Sequence, residues 1–390
     1  MIQRHAEQTL LSLMKGYPVI TITGPRQSGK TTLSKMACPH MKYVSLENPE
    51  TRDMAENDTK AFLQRYREGA IFDEVQRVPK LVSYLQEIVD TAKKPGQFIL
   101  TGSQQFGLLS DITQSLAGRT AFIKLLPFSL HELYTTSELK NITGFDTVLF
   151  TGLYPPVHDR HLDPRIWYAN YTTSYIERDV RQLVNIRDLS TFQRFVKLCA
   201  GRTGQLVNLS DMAHDAGISH NTARSWISIL EASYIIYLLQ PHHANFNKRI
   251  IKTPKLYFHD TGLLCWLLSI HNPEELNIHS MRGSIFENFV ISELLKSFYN
   301  QGLPGNIYFW RDRSGNEIDC LLEQGEHLQP YEIKSGQTFN KDFTAGLMKW
   351  EKMAENRSVR PMLIYGGDDC FEFQHINIVS WKSRDFLYNM

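Results

Sequence analysis

Residues 24–32 read GPRQSGKTT and follow the apolar run PVITIT. The spacing G-x-x-x-x-G-K-[ST] after a strand is that of a loop that wraps phosphate groups. Gly24 and Gly29 let the backbone fold back through Pro25, so that the N–H groups of Arg26, Gln27 and Ser28 face the phosphates. Lys30 reaches the β and γ phosphates, Thr31 offers its hydroxyl to Mg²⁺, and Thr32 continues a helix whose positive end favours an anion. ATP with Mg²⁺ is the ligand this spacing predicts.

Two acids follow a second apolar run in AIFDEVQ. There Asp73 is positioned to share the Mg²⁺ shell and Glu74 to polarise an attacking water. FILTGSQQ puts Ser103, with Gln104 beside it, at another strand end, where a polar side chain can sense the γ phosphate. Binding alone needs only the loop; the paired acids point to hydrolysis. Charge developing on the phosphoryl group also calls for an arginine, from this chain or a neighbouring subunit. Arg119 in LAGRTAF is the first candidate, with Arg26, Arg77 and Arg178 as rivals.

A second constellation lies near the C-terminus. GSIFENFVISELLKSFY reads as a helix with Phe286, Val290, Leu294 and Leu295 in its apolar stripe, and NIYFWRDRSGNEIDCLLE as two strands around the turn RSGN. LQPYEIKSG supplies a further strand, on which Glu332 and Lys334, two residues apart, share a face. Helix, hairpin and strand bring Glu287, Asp319, Glu332 and Lys334 within reach of one another. An Asp on one strand, E-x-K on the next and a helix Glu resemble the PD-(D/E)xK nuclease arrangement. The resemblance implies that Asp319 and Glu332 ligate Mg²⁺ or Mn²⁺, that Glu287 completes or tunes the site, and that Lys334 positions water or stabilises the pentavalent charge. Ile318-Asp319 stands where that motif usually has Pro-Asp.

Between these lies LVNLSDMAHDAGISHNTARSWISILEASYIIYLL. Ser210 caps one predicted helix, Gly217 allows a tight turn, and Ser219 caps a second helix with Ala223, Trp226, Ile227 and Leu230 inward. This is a helix-turn-helix pattern, with His220, Asn221, Arg224 and Ser225 facing outward as major-groove readers do. YIIYLL and KLYFHD then form a hairpin, as in a winged helix, whose loop bears Lys248, Arg249, Lys252 and Lys255, a basic set suited to phosphates. DNA is the partner this predicts, although such modules also serve as packing units.

These residues need a scaffold, and the chain supplies one. PVITIT, KYVSLE, AIFDE, QFILTG and AFIKLL are short apolar runs, and PKLVSYLQEIVDTA has helical spacing of Leu81, Leu85, Ile88 and Val89. The alternation predicts an α/β fold with a parallel sheet and ligands at the carboxyl ends of its strands. A net charge of +1 across 390 residues gives no overall field toward nucleic acid or lipid, so any such contact must be local. The five cysteines lack C-x-x-C pairing, which argues against a disulfide framework or a zinc site and for a reducing, cytoplasmic location. LYFHDTGLLCWLLSIH is interrupted by His259 and Asp260 and reads as core, so no membrane partner is expected. The paired His242-His243 lacks metal-ligand spacing.

The string TGPRQSGKTTL, IFDEVQRVP, LTGSQQF, LAGRTAFIKLLPFSLHEL and YIERDV resembles prokaryotic AAA-type ATPases that carry a C-terminal domain of unknown function, from about Pro18 to Lys334. The resemblance implies an AAA-type P-loop NTPase domain at 1–160, a helical connector and winged helix at 161–270, and a restriction-endonuclease-like α/β domain at 271–390. Two functions remain open on the sequence as a whole. In one, a Mg²⁺-dependent ATP hydrolase couples nucleotide state to DNA binding and cleavage, with self-association through the ATPase domain. In the other, a nucleotide-gated switch or scaffold, in defence or mobile-element control, binds nucleic acid or protein without cutting.

Overall fold

The computed structural model describes residues 2–103, 115–134, 144–175, 188–243, 251–354 and 357–387. The chain divides into two compact units: Met1–Phe128 with Ala232–Tyr234 and Phe298–Pro304, and Ser129–Glu231 with Ile235–Ser297 and Gly305–Met390. The segments expected as a winged-helix domain and a nuclease-like domain thus fall into one unit, and the first unit ends near Phe128 instead of residue 160.

In the first unit, strands β1 (Val19–Thr23), β2 (Lys42–Ser45), β3 (Ala70–Asp73), β4 (Phe98–Gly102) and β5 (Thr120–Lys124) are the five apolar runs of the sequence. They form a sheet of order β2-β3-β4-β1-β5, parallel throughout. One face packs Phe72, Phe98 and Leu100 against Leu81, Val82, Leu85 and Val89 of the helix Lys80–Ala92. The other packs Ile20, Ile22 and Ile99 against Ala6, Leu10 and Leu33. Each fully buried Val, Leu, Ile or Phe among them contributes about 1.5–3 kcal/mol relative to exposure. That core holds the carboxyl ends of β1, β3 and β4 side by side, which is what the phosphate loop requires.

In the second unit, the helices Leu209–Ala216 and His220–Ala232 flank Gly217, which is left-handed at φ 69°. Asn208, not Ser210, caps the first helix, its side chain accepting from the N–H groups of Ser210 and Asp211. The cap sits earlier than expected because Leu209 already has helical geometry. Ser219 caps the second as expected, its Oγ 3.1 Å from the Thr222 N–H, and Ala223, Trp226, Ile227 and Leu230 are buried. Strands β6 (Ile236–Leu239) and β7 (Lys255–Phe258) make the antiparallel hairpin. The end of β7 is closed by Asn288, whose amide accepts from the Phe258 N–H at 2.7 Å and donates to the Phe258 carbonyl at 2.8 Å.

Strands β8 (Ile307–Arg311), β9 (Glu317–Gln324), β10 (His327–Lys334), β11 (Met362–Tyr365), β12 (Phe371–Phe373) and β13 (Ile376–Ser380) form a mixed sheet of order β12-β13-β11-β10-β9-β8. The helix Ala345–Ala354 packs Leu347 and Trp350 on Trp310, Ile318 and Leu363. Gly366–Asp369 joins β11 to β12 without pairing them as a hairpin. β11 is paired on both sides by β10 and β13, leaving no edge for β12. The hairpin joins β12 to β13 instead, through Gln374 and His375 at φ 45° and 60°, the left-handed pair that a two-residue turn demands. Among the described residues, no helix is long and apolar enough to cross a membrane.

Candidate functional site

The loop after β1 is built as its glycines require. Gly24 has φ 151°, and a Cβ there would lie 2.1 Å from the carbonyl oxygen of Leu125, so no other residue fits. Gly29, at φ 94°, precedes the helix Lys30–Ala37, whose first turn faces the loop. The Lys30 ammonium is buried and donates to the carbonyls of Gly24 at 2.9 Å and Pro25 at 2.8 Å. Ser28 Oγ is buried with no hydrogen-bond partner among the described residues, a polar atom that suits a phosphate oxygen. Arg4 braces the loop from behind, donating to the carbonyls of Ser28 at 2.6 Å and Leu126 at 2.8 Å. Pro25 is buried, whereas Gln27 and Thr32 are exposed at the rim. Arg26 lies 3.7 Å from Glu47.

Asp73, at the end of β3, is 7% exposed and accepts from three hydroxyls: Thr31 Oγ1 at 2.9 Å, Tyr43 at 2.6 Å and Thr101. Burial and the bond to Asp73 push the Tyr43 hydroxyl well above its ordinary pKa, keeping it a donor. The next residue, Glu74, is left-handed at φ 57°, a costly conformation for a non-glycine residue that turns its carboxylate off the strand axis. Ser103 Oγ donates to Glu74 Oε2 at 3.0 Å, and the Gln76 amide donates to the same oxygen. Thr31 and Asp73, already in contact, fit the two protein ligands of a Mg²⁺ ion that takes its remaining ligands from phosphate and water. The bound ion would neutralise charge on the β and γ phosphates.

Tyr43, Thr101 and Arg4 carry no motif, and only the adjacency of β2, β3 and β4 brings the first two to Asp73, whereas Gln76 stands two residues past Glu74 in the chain. Arg119 does not join them. It precedes β5, whose residues Thr120 and Lys124 stand beside Val19 and Thr23, so Arg119 lies at the opposite end of the sheet from the loop, a strand length of roughly 15 Å away. Its guanidinium is bound to Asp90 at 2.8 Å. Arg119 therefore does not reach the phosphate loop of its own chain. Arg77 lies in the turn after Glu74 and is exposed, while Arg178 and Gln104 lie outside the described residues.

Burial lowers the pKa of Lys30 from the ordinary 10.5 to about 8, against the opposing pull of Glu74 and Asp73. Above about pH 8 the folded chain holds less proton here than the unfolded chain. Stability from this group is therefore flat below pH 8 and rises toward 10.5. Phosphate binding reverses the balance by favouring the ammonium. The expected result is proton uptake on ATP binding and an affinity that weakens at most about tenfold per pH unit above pH 8. Calorimetry in two buffers of different ionisation heat reads the proton directly, and buffer-independent heats at pH 8.5 would contradict it.

The helix-turn-helix leaves His220, Asn221, Arg224 and Ser225 exposed, and Lys252 is exposed at the base of the hairpin loop; Lys248 and Arg249 lie outside the described residues. Lys255 departs from expectation. It is 3% exposed and points away from solvent, 3.1 Å from Glu287 and 2.5 Å from Glu317, so it is an internal ion-pair partner and not part of a basic wing.

Lys255 leads to the C-terminal cluster. On β10, the Lys334 ammonium lies 2.6 Å from Glu332 Oε1 and 3.4 Å from Asp319 Oδ2 on β9. Burial works against that ammonium, but Asp319 and Glu332 hold its proton and raise its pKa. Glu332 is 8% exposed, and burial with Asp319 nearby pushes its carboxyl up to about 8. Its Oε2 is buried without a partner among the described residues, and Gly346 leaves room for it, since a Cβ there would lie 3.0 Å away. Glu287, expected as a ligand, is instead held by Lys255 and by the hydroxyl of Tyr257, both from β7, because that strand packs against its helix. Among the described residues, no group of three or more His, Cys, Asp or Glu is arranged to hold a metal ion. Asp319 and Glu332, with an unmet acceptor, nevertheless fit the one or two carboxylates by which Mg²⁺ is held beside substrate phosphate.

The parallel sheet, the loop at the end of β1 and the acids at the end of β3 define a P-loop nucleotide-binding domain, and residues 16–134 match the family described as AAA domain. Residues 142–274 and 282–383 match two domains of unknown function, DUF8612 and DUF4143. The chain belongs to the family of the uncharacterized protein Rv2008c of Mycobacterium tuberculosis, with 30% identity over 346 residues, 86% of this chain and 74% of that one. The uncharacterized protein Mb2031c of Mycobacterium bovis matches with the same figures. Among solved structures, the Walker-type ATPase PABY2304 of Pyrococcus abyssi aligns with a TM-score of 0.45 and 13% identity, over 67% of this chain and 94% of that one.

Proposed function

We propose that the protein is a Mg²⁺-dependent ATP hydrolase that couples nucleotide state to DNA binding by its helix-turn-helix and to phosphodiester cleavage by its C-terminal carboxylates. The observation that carries the hydrolase reading is the contact of Thr31 with Asp73, next to Glu74 held by Ser103. Lys30 and the loop N–H groups bind the β and γ phosphates, Thr31 and Asp73 hold Mg²⁺, Glu74 orients the attacking water and Ser103 orients Glu74. The arginine is supplied by Arg26 or Arg77, or by Arg119 of a second copy across a self-association interface. DNA contacts fall to Asn221 and Arg224, with Lys248, Arg249 and Lys252 on phosphates. At the C-terminal site, Asp319 and Glu332 hold Mg²⁺ or Mn²⁺, and Lys334 stabilises the charge of the pentavalent phosphorus.

The test is cleavage of linear, single-stranded and branched DNA with and without ATP, in wild type, Asp319→Ala and Lys30→Ala. Cutting that disappears in Asp319→Ala supports the nuclease, and its loss in Lys30→Ala ties it to the ATPase. A second reading, a nucleotide-gated switch that binds without cutting, draws on the closure of Glu287 by Lys255 and Tyr257. DNA affinity that falls steeply with salt and is lost in Arg224→Ala, with no cleavage on any substrate, favours that reading.

A further inference from the structure

The four carboxylates at the C-terminal site do not share their surroundings. Glu287 and Glu317 meet on a single ammonium, that of Lys255, at 3.1 and 2.5 Å. Glu287 also takes the Tyr257 hydroxyl, and Glu317 also takes Arg311 at 3.2 Å. Lys255 Nζ lies 5.5 Å from the centroid of the Phe309 ring, so an aromatic face completes its enclosure. Asp319 and Glu332 form the other half, where Lys334 is one-third exposed and Glu332 Oε2 is buried with no partner among the described residues. One half is therefore closed around a fixed positive charge, and the other retains an unmet acceptor.

Phosphodiester cleavage needs positive charge on the attacking and on the leaving oxygen, and two-metal sites supply it with two ions about 4 Å apart. We infer that Lys255 is a built-in cation of this site, filling the Glu287/Glu317 half, so that the site takes one divalent ion, at Asp319 and Glu332, and not two. This rests on the reading that Asp319 and Glu332 hold a divalent cation. Lys255 is a positioning residue: it fixes Glu287 and Glu317 and denies them to metal. Because it comes from β7, it reaches the carboxylates from the hairpin that follows the helix-turn-helix and not from the six-stranded sheet.

The experiment counts Mn²⁺ ions by electron paramagnetic resonance on the full chain without nucleotide. Asp73→Asn is present throughout to silence the P-loop site. The expected stoichiometry is one, falling to zero with Asp319→Asn, staying at one with Lys255→Arg and rising to two with Lys255→Met. Two ions with Lys255 intact overturn the inference, as does a count that stays at one in Lys255→Met shown to be folded by circular dichroism. Should Lys255→Met fail to fold, the counts with Lys255 intact and with Lys255→Arg still decide, since two ions in either overturn it. No Mn²⁺ at all with Lys255 intact removes the cation reading itself, an outcome distinct from two ions, which removes the inference alone.

Discussion

Glu74→Gln is expected to bind ATP about as well as wild type and to hydrolyse it on the order of 10²–10⁴-fold more slowly, the usual contribution of a positioned general base. Glu74 touches no loop carbonyl; its partners are Ser103 and Gln76, so its removal leaves the phosphate cradle intact. Lys30→Ala makes the contrasting case. Its ammonium is the cation buried inside the loop, and without it binding itself should fall, so kcat can no longer be measured at ordinary ATP concentrations. A fluorescent ATP analogue measures the first quantity and phosphate release the second. Equal hydrolysis in wild type and Glu74→Gln would transfer the base to another group and leave Glu74 a structural turn residue.

The second large effect is on stability. Lys255→Ala removes the ammonium that Glu287 and Glu317 share, leaving Arg311 on Glu317 alone, and breaking a buried ion pair from one side costs about 3–5 kcal/mol. Side-chain exposures of 17% and 25% for the two glutamates admit some water, which places the loss at the lower end. The melting transition of the second unit should drop by about 10 °C, while that of the first stays in place. Differential scanning calorimetry separates the two. A shift under about 2 °C would mean that solvent already screens the pair. A double change, Lys255→Met with Glu287→Gln, should recover part of the loss, because it removes both charges.

Much of the first unit was legible in the sequence for a physical reason. Strands buried on both faces must be apolar along their length, and a loop that wraps phosphate has fixed glycine and lysine positions. Long-range contacts were not legible. Lys255 follows a basic stretch and looked like one more surface lysine; its partner Glu317 is distant in sequence and announces itself by no spacing. Arg119 was read from its place before a strand, but the end of the strand it occupies depends on which way β5 runs beside β1. Asp319, Glu332 and Lys334 were read together because strand periodicity alone puts the last two on one face, and an antiparallel neighbour supplies the first. Tyr43 sits on a half-exposed strand whose pattern says nothing of the acid beside it.

Asn288 bears on how this chain can be divided or recombined. By accepting from Phe258 N–H and donating to its carbonyl, its side chain imitates one residue of a neighbouring strand. The family boundaries separate Phe258, within 142–274, from Asn288, within 282–383. A chimera joined between residues 274 and 282 with a partner lacking that asparagine would uncover a short strand edge with its donor and acceptor unmet, the kind of surface through which chains pair and precipitate. Exchange between relatives is therefore expected to preserve solubility only when the hairpin and the helix travel together.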